Sequence, residues 1–215
     1  MEAQNMEAQQ TVFVVDDDDA VRDALELLME SVGLAVETFG SAQELLDTID
    51  HSRRGCLILD IRMPGMSGLE LQDRLVSDGF DLPVIFISGH GDVPMAVRSM
   101  RRGAMDFLLK PFNDQDLLDR IHQALKLDRG RKIELEHQQA IADRIATLTP
   151  REREVMDLVT EGYTNKVIAN RLELSQRTVE LHRAKVMEKM GAPSLAHLVR
   201  MVVQYESYDS GAGGA

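Results

Sequence analysis

The 215-residue chain has one cysteine, Cys56, so no disulfide can form within it. That fits a reducing compartment. Cys56 falls in the apolar run Cys56-Leu57-Ile58-Leu59, where a buried thiol is expected rather than a reactive one. No apolar stretch approaches the roughly 18 residues that a membrane span needs, and Met1 to Gln10 lacks the basic flank and apolar core of a signal peptide. Instead it repeats Met-Glu-Ala-Gln, which reads as a disordered extension over 1–10. These absences point to a cytoplasmic protein.

An excess of positive charge is missing too: the formal net charge is −12. For a nucleic-acid binder that is the wrong sign, but the charge is unevenly spread. Residues 1–126 hold 11 Lys+Arg against 23 Asp+Glu, while residues 127–215 hold 13 of each. Within Thr164–Met190 six basic residues face three acidic ones, so the one locally basic segment lies in the second half.

With 44% hydrophobic and 28% charged residues the chain is globular in composition. In the first half, short apolar runs (11–15, 34–39, 56–59, 84–88 and 106–109) alternate with helical spacings over 20–32, 42–49, 67–77 and 93–102. Five such units predict an α/β fold with a doubly wound, five-stranded parallel sheet. A charged helical stretch follows from Asn113, with a predicted linker over 127–146 that is either continuous or broken at Gly130. The rest reads as a small all-α domain over 147–206, opened by Thr149-Pro150-Arg151-Glu152, a helix start with capping-box spacing. The last helix is predicted over 194–204, and the Gly/Ser-rich tail 207–215 is expected to be disordered.

In a parallel sheet all the strand carboxyl ends share one edge, where ligands bind. Asp16 and Asp17 follow the first strand, Asp60 the third, Ser88 ends the fourth and Lys110 follows the fifth. Clustered carboxylates repel unless a cation lies among them, and Mg2+ binds through one or two carboxylates while keeping coordination open. An Asp can accept a phosphoryl group as an acyl phosphate. Lys110 is placed to supply an ammonium and Ser88 a hydroxyl.

The segments Val15-Asp16-Asp17, Leu59-Asp60-Ile61-Arg62-Met63-Pro64-Gly65-Met66-Ser67-Gly68, Ser88-Gly89-His90 and Phe107-Leu108-Leu109-Lys110-Pro111-Phe112 resemble the receiver domains of response regulators, over about residues 11–126. The resemblance implies a flavodoxin-like receiver with Asp60 as phosphoacceptor. It implies Asp17, Asp60 and the backbone carbonyl of Arg62 as Mg2+ ligands, with Asp16 acting through water. Ser88 would bind the phosphoryl group and switch, Lys110 would form the charge contact, and Phe107 would swing inward. A cis Lys110-Pro111 bond is also implied. Two departures stand out. The acidic run continues through Asp18 and Asp19, which suit a helix N-terminus rather than a metal. The switch aromatic is Phe, so no phenolic hydroxyl takes part in the signal.

In the second half, helices over 165–172 and 176–190 with a turn at Glu173-Leu174-Ser175 describe a helix-turn-helix. Val179, Val186 and Met190 share the inner face. Leu148-Thr149-Pro150-Arg151-Glu152, Gly162-Tyr163-Thr164-Asn165-Lys166 and Leu174-Ser175-Gln176-Arg177-Thr178-Val179-Glu180 resemble the LuxR-type DNA-binding domain. The whole chain thus resembles the FixJ/NarL class, and His90-Gly91-Asp92-Val93-Pro94 favours the FixJ branch. On this reading Arg177, Glu180, Leu181, Ala184 and Lys185 are major-groove candidates. Thr164, Asn165, Lys166, Thr178, His182 and Lys189 are backbone-contact candidates. Glu180 either accepts from a cytosine amino group or repels phosphate. Implied partners are a sensor histidine kinase, double-stranded DNA and, on phosphorylation, a second copy of the chain. Two readings compete: a metal-dependent phosphotransfer or hydrolase enzyme, which needs a substrate pocket and a general base that the sequence does not offer, and a phosphorylation-independent scaffold, which Mg2+-dependent changes at Asp60 would separate from a receiver.

Overall fold

The computed structural model describes residues 10–89 and 93–212, which fall into two compact units, Met1–Arg131 and Lys132–Ala215. The extension over 1–9, the tail end 213–215, and His90, Gly91 and Asp92 of the FixJ-branch motif lie outside the described residues.

In the first unit β1 (Thr11–Val15), β2 (Ala35–Phe39), β3 (Gly55–Asp60), β4 (Val84–Ser88) and β5 (Asp106–Leu109) form one parallel sheet in the order β2-β1-β3-β4-β5. Successive side chains leave a strand on opposite faces. Both faces here are apolar, so both need covering by helices. Phe13, Val15, Leu57, Leu59 and Phe86 pack on one side with α2 (Ala42–Thr48) and α3 (Gly68–Ser77). Val12, Val14, Cys56, Ile58, Ile85 and Ile87 pack on the other, against α1 (Asp19–Ser31) and the start of α5 (Asp114–Ala146). The helix α4 (Val93–Arg101) precedes β5. Cys56 is fully buried, and burial, with the Asp128 charge second, pushes its thiol up to about 12. It is therefore a core residue with no thiolate chemistry near neutral pH.

The structure corrects the sequence expectation at both edges of this unit. Gln10 belongs to the fold rather than to an extension: its amide nitrogen donates to the Leu125 carbonyl and to Asp128, both at 2.7 Å. The linker is not a separate segment. α5 runs unbroken through Gly130, and its residues divide between the two units. Asp128, 1% exposed, pairs with Arg54 at 2.7 Å, and Arg131 pairs with Asp81 at 2.6 Å. Ile141 and Ile145 are buried in the second unit's core.

That second core gathers Val155, Met156 and Val159 of α6 (Pro150–Thr160), Ile168 of α7 (Asn165–Arg171), Val179, Val186 and Met190 of α8 (Gln176–Met190), and Leu198, Met201 and Val202 of α9 (Leu195–Ala212). α6 starts at the capping box read from sequence, with the Thr149 hydroxyl accepting from the Glu152 amide. Ser175 caps α8, and Gly191 ends it with φ 61°, a left-handed conformation that glycine adopts without steric cost. The tail expectation also needs correction: α9 continues to Ala212, eight residues past the predicted end. Its apolar stripe does not stop at Val202, because Tyr205 also packs on the core.

Candidate phosphoacceptor and DNA-contact sites

The strand order reverses between β1 and β3, and the C-terminal edge at that point is where a ligand crevice forms in such sheets. Val15 lies beside Leu59, and Asp60 beside Ile87, so the next residues converge on that edge. Asp60 is 6% exposed and Asp16 1% exposed. The Lys110 ammonium sits between them, donating to Asp16 Oδ2 at 2.5 Å and to Asp60 Oδ1 at 3.1 Å. The other Asp60 oxygen, Oδ2, accepts the Arg62 backbone N–H at 2.7 Å, and Asp16 Oδ1 accepts from the Asp18 amide at 3.0 Å. Ser88 is buried at the end of β4, where its carbonyl accepts from the Lys110 amide. Phe107 is half-buried against the core beneath the same edge, and the Lys110-Pro111 bond is cis.

Burial raises the Asp60 carboxyl above the ordinary aspartate range, against the opposing pull of its hydrogen bond and charge contact with Lys110. For Lys110, burial alone would lower the ammonium, but the hydrogen bonds to Asp16 and Asp60 outweigh it and the net shift is upward. The group at this edge is therefore a charged Lys110 held between two carboxylates.

One part of the expected cluster is not formed. Asp17 stands exposed at the end of β1, and among the described residues no three carboxylate, imidazole or thiol groups converge to hold a metal. The ammonium of Lys110 occupies the position between Asp16 and Asp60 and offsets their repulsion. The donor set nonetheless fits a hard divalent cation. Asp16 and Asp60 share a single ammonium, which leaves the pair net negative, and their donor atoms are oxygens.

Two contributors have no role assigned from the sequence, although Gly68 closes the receiver-like segment that begins at Leu59. Arg22, one turn into α1, donates to the Asp16 carbonyl at 2.5 Å and pairs with Asp19, so it fixes the backbone that carries Asp16 and Asp17. An arginine in the first turn of a helix gives no local sign of this. Gly68 packs so closely under β3 that a Cβ there would meet the Asp60 carbonyl oxygen at 2.2 Å. Its amide donates to the Ile61 carbonyl, which folds the β3–α3 loop tightly beside Asp60. Asp18 and Asp19 take helix roles: Asp18 caps α1 through the Ala20 amide.

In the second unit, Arg177, Glu180, Leu181, Ala184 and Lys185 are all exposed on α8, opposite its buried Val179, Val186 and Met190. Leu181 is 60% exposed, unusual for a leucine on a helix with a buried face elsewhere. Thr164 and Lys166 are exposed at the start of α7. The half-buried Thr178 lies 2.8 Å, hydroxyl to hydroxyl, from the Ser175 cap. His182 is half-buried, with its Nδ1 buried and without a partner among the described residues. Asn165 accepts from the Arg183 guanidinium, so its side-chain oxygen is engaged inside the unit. Lys189, another backbone-contact candidate, is engaged inside the unit. Its ammonium pairs with Glu152 at 2.6 Å and donates to the Thr147 carbonyl at 3.0 Å, tying α8 to the start of α6.

Comparison with known proteins matches residues 12–122 to the response regulator receiver domain and residues 146–202 to the luxR family of bacterial regulatory proteins. The chain is 49% identical over 193 residues to nodulation protein W of Bradyrhizobium diazoefficiens, covering 88% of this chain and 84% of that one. The structure of the response regulator StyR superposes with a TM-score of 0.84 at 46% identity, covering 92% of this chain and all of that one. Full-length FixJ from B. japonicum superposes with a TM-score of 0.56 at 41% identity, over 93% of this chain and 98% of that one.

Proposed function

The chain belongs to the response regulators of two-component systems, with a receiver domain followed by a LuxR-type DNA-binding domain, and from that premise we propose that Asp60 is the phosphoacceptor that controls DNA binding by α8. The family is one of phosphorylation-activated transcription regulators. Its receiver implies a histidine kinase partner, and its second domain implies DNA binding.

The observation that carries the assignment is the juxtaposition of Asp60 and Lys110, 50 residues apart and 3.1 Å from each other at the strand edge. In the proposed step an Asp60 carboxylate oxygen attacks the phosphorus of a phosphohistidine. The P–O bond forms as the P–N bond breaks, and the imidazole leaves to take a proton from solvent. Asp16, Asp17, Asp60 and the Arg62 carbonyl would hold Mg2+. When bound, the ion offsets charge on the phosphoryl oxygens. Lys110 is already hydrogen-bonded to Asp60, so it needs only a small displacement to meet a phosphoryl oxygen. Ser88 supplies a hydroxyl at the same edge, and Phe107 follows it inward.

The negative charge gained at Asp60 then changes the surface formed by α4, β5 and the start of α5, so that two copies associate and place two α8 helices on related half-sites. Arg177, Glu180, Leu181, Ala184 and Lys185 read bases, while Thr164, Lys166, Thr178 and His182 lie along the backbone. From DNA binding we infer that the protein works in the cytoplasm of a bacterial cell. No helix among the described residues is long and apolar enough to cross a membrane.

Labelling with phosphoramidate in Mg2+ tests the assignment. The wild type should form an acid-stable, base-labile acyl phosphate, and Asp60→Asn should form none. Equal labelling of the variant would reject Asp60.

A further inference from the structure

At the opposite end of the sheet from Asp60, a cavity of about 300 Å³ opens among the start of β4, the C-terminal part of α3, the turn before β5 and α5. It lies wholly within the first unit. Its deep wall is apolar and fully packed: Leu57, Leu75 and Val84 are 0–5% exposed. Phe80, Met105 and Leu127 line the outer part.

Four polar groups interrupt this apolar lining: Gln72, Arg102, Arg131 and the Asp81 carboxylate, which is already paired with Arg131. Gln72 is 2% exposed, lines the cavity, and has a buried Oε1 with no hydrogen-bond partner among the described residues. A buried amide oxygen with no donor is a cost to the fold. Nothing in the phosphoacceptor site uses Gln72, since α3 meets that site through its other end, at Gly68. Arg102 and Arg131 stand where the cavity meets solvent. Arg102 pairs with Asp73 at 3.1 Å and Arg131 with Asp81 at 2.6 Å, each through one terminal nitrogen. A guanidinium has five N–H donors in a planar fork suited to carboxylates, so each retains donors after its single ion pair.

We propose that this cavity is a binding site for a small organic acid with an apolar body. A hydroxyl or amino group at its far end donates to Gln72 Oε1, and its carboxylate meets Arg102 and Arg131. The volume limits the ligand to on the order of ten non-hydrogen atoms. The apolar walls favour a ring or a branched chain between the two polar ends. Such a ligand joins α3, the turn before β5 and the part of α5 that ends the first unit, through Leu127 and Arg131. It therefore acts on α5 at a point remote from Asp60, as a chemical input separate from phosphorylation.

The probe is 4-hydroxybenzoate, titrated into the full-length protein by calorimetry and by amide chemical shifts. Benzoate lacks the donor and 4-hydroxybenzyl alcohol lacks the carboxylate. Saturable one-to-one binding is expected, with shifts centred on Leu75, Val84 and Leu127, and about tenfold weaker binding of either comparison compound. Gln72→Leu should weaken 4-hydroxybenzoate about tenfold and leave benzoate unchanged. Arg131→Gln, at the exposed rim, should weaken both acids and not the alcohol, and it serves as the test should the buried substitution unfold the protein. Asp60→Asn should bind as the wild type does, which separates this site from the phosphoacceptor. No saturable binding of 4-hydroxybenzoate, shifts that centre elsewhere, or equal affinity in wild type and both cavity variants would overturn the proposal.

Discussion

At the scale of the residue, the strand edge around Asp60 is governed by one ammonium between two buried carboxylates. Removing the cation leaves the acids facing each other in a poorly solvated place, and breaking such an arrangement costs more than its net stabilising effect. Lys110→Ala should therefore lower stability by about 2 kcal/mol in the absence of divalent ions. Mg2+ should restore much of it, since the ion then takes the place of the ammonium between the two carboxylates. Urea unfolding with EDTA and with millimolar Mg2+ measures both effects. The same variant should label at least about tenfold more slowly with phosphoramidate, because a charge contact to the phosphoryl oxygens is gone. Much of this site was legible from the sequence. Strand-end positions in a parallel sheet share one edge, so Asp16, Asp60, Ser88 and Lys110 could be assembled before any coordinates. Asp17 could not be placed, because whether a carboxylate turns toward its neighbours depends on what already neutralises them. Arg22 was missed, and Gly68 was read only as part of the receiver-like segment, because their roles are contacts to backbone carbonyls, which side-chain patterns do not display.

At the scale of the element, the junction of α6 and α8 joins a helix cap to a tertiary ion pair. Glu152 closes the capping box at Thr149 and also receives the Lys189 ammonium. The hydrogen bond from Lys189, followed by that from the Thr149 amide, holds the Glu152 carboxyl at about 2, well below the ordinary glutamate value. A carboxyl depressed in the folded state stabilises above its unfolded value and loses that contribution as pH falls through the folded one. Glu152→Gln should therefore lower the melting temperature at pH 7, and the gap from wild type should close between about pH 4.5 and 2. Thermal unfolding of the DNA-binding unit's helices in the full-length chain, followed by circular dichroism, reads this directly. Thr149→Ala should cost about 1 kcal/mol through the lost cap. The capping box was plain in the sequence; the partner Lys189, 37 residues away, was not. The course of α5 shows the same limit. A glycine within a helix costs up to about 1 kcal/mol relative to alanine, so a break at Gly130 was a fair local expectation. The helix is held across that point by contacts from distant segments, Arg54 to Asp128 and Asp81 to Arg131, which no window of local sequence contains.

At the scale of the whole molecule, a strongly acidic chain binds DNA because its charge is divided between two units. The receiver carries the excess of acid, and the second unit presents an exposed helix with Arg177 and Lys185 and a neighbouring Lys166. These cations should act differently. Lys166→Ala should weaken binding to specific and random duplexes alike and reduce the salt slope by about one. Arg177→Ala should weaken specific binding by about 1–3 kcal/mol and relax the preference at the base pair it reads. Fluorescence anisotropy across a salt series with both duplexes distinguishes them.

The central claim is that a phosphoryl group on Asp60 controls what α8 does. The most direct measurement is the affinity of the full-length protein for a DNA fragment selected from genomic sequence, with and without prior phosphoramidate treatment in Mg2+, for wild type and Asp60→Asn. Treatment should raise the wild-type affinity by at least about tenfold, equivalent to about 1.4 kcal/mol, and leave the variant unchanged. Equal gains in both proteins, or none in a wild type shown to be labelled, would contradict that claim.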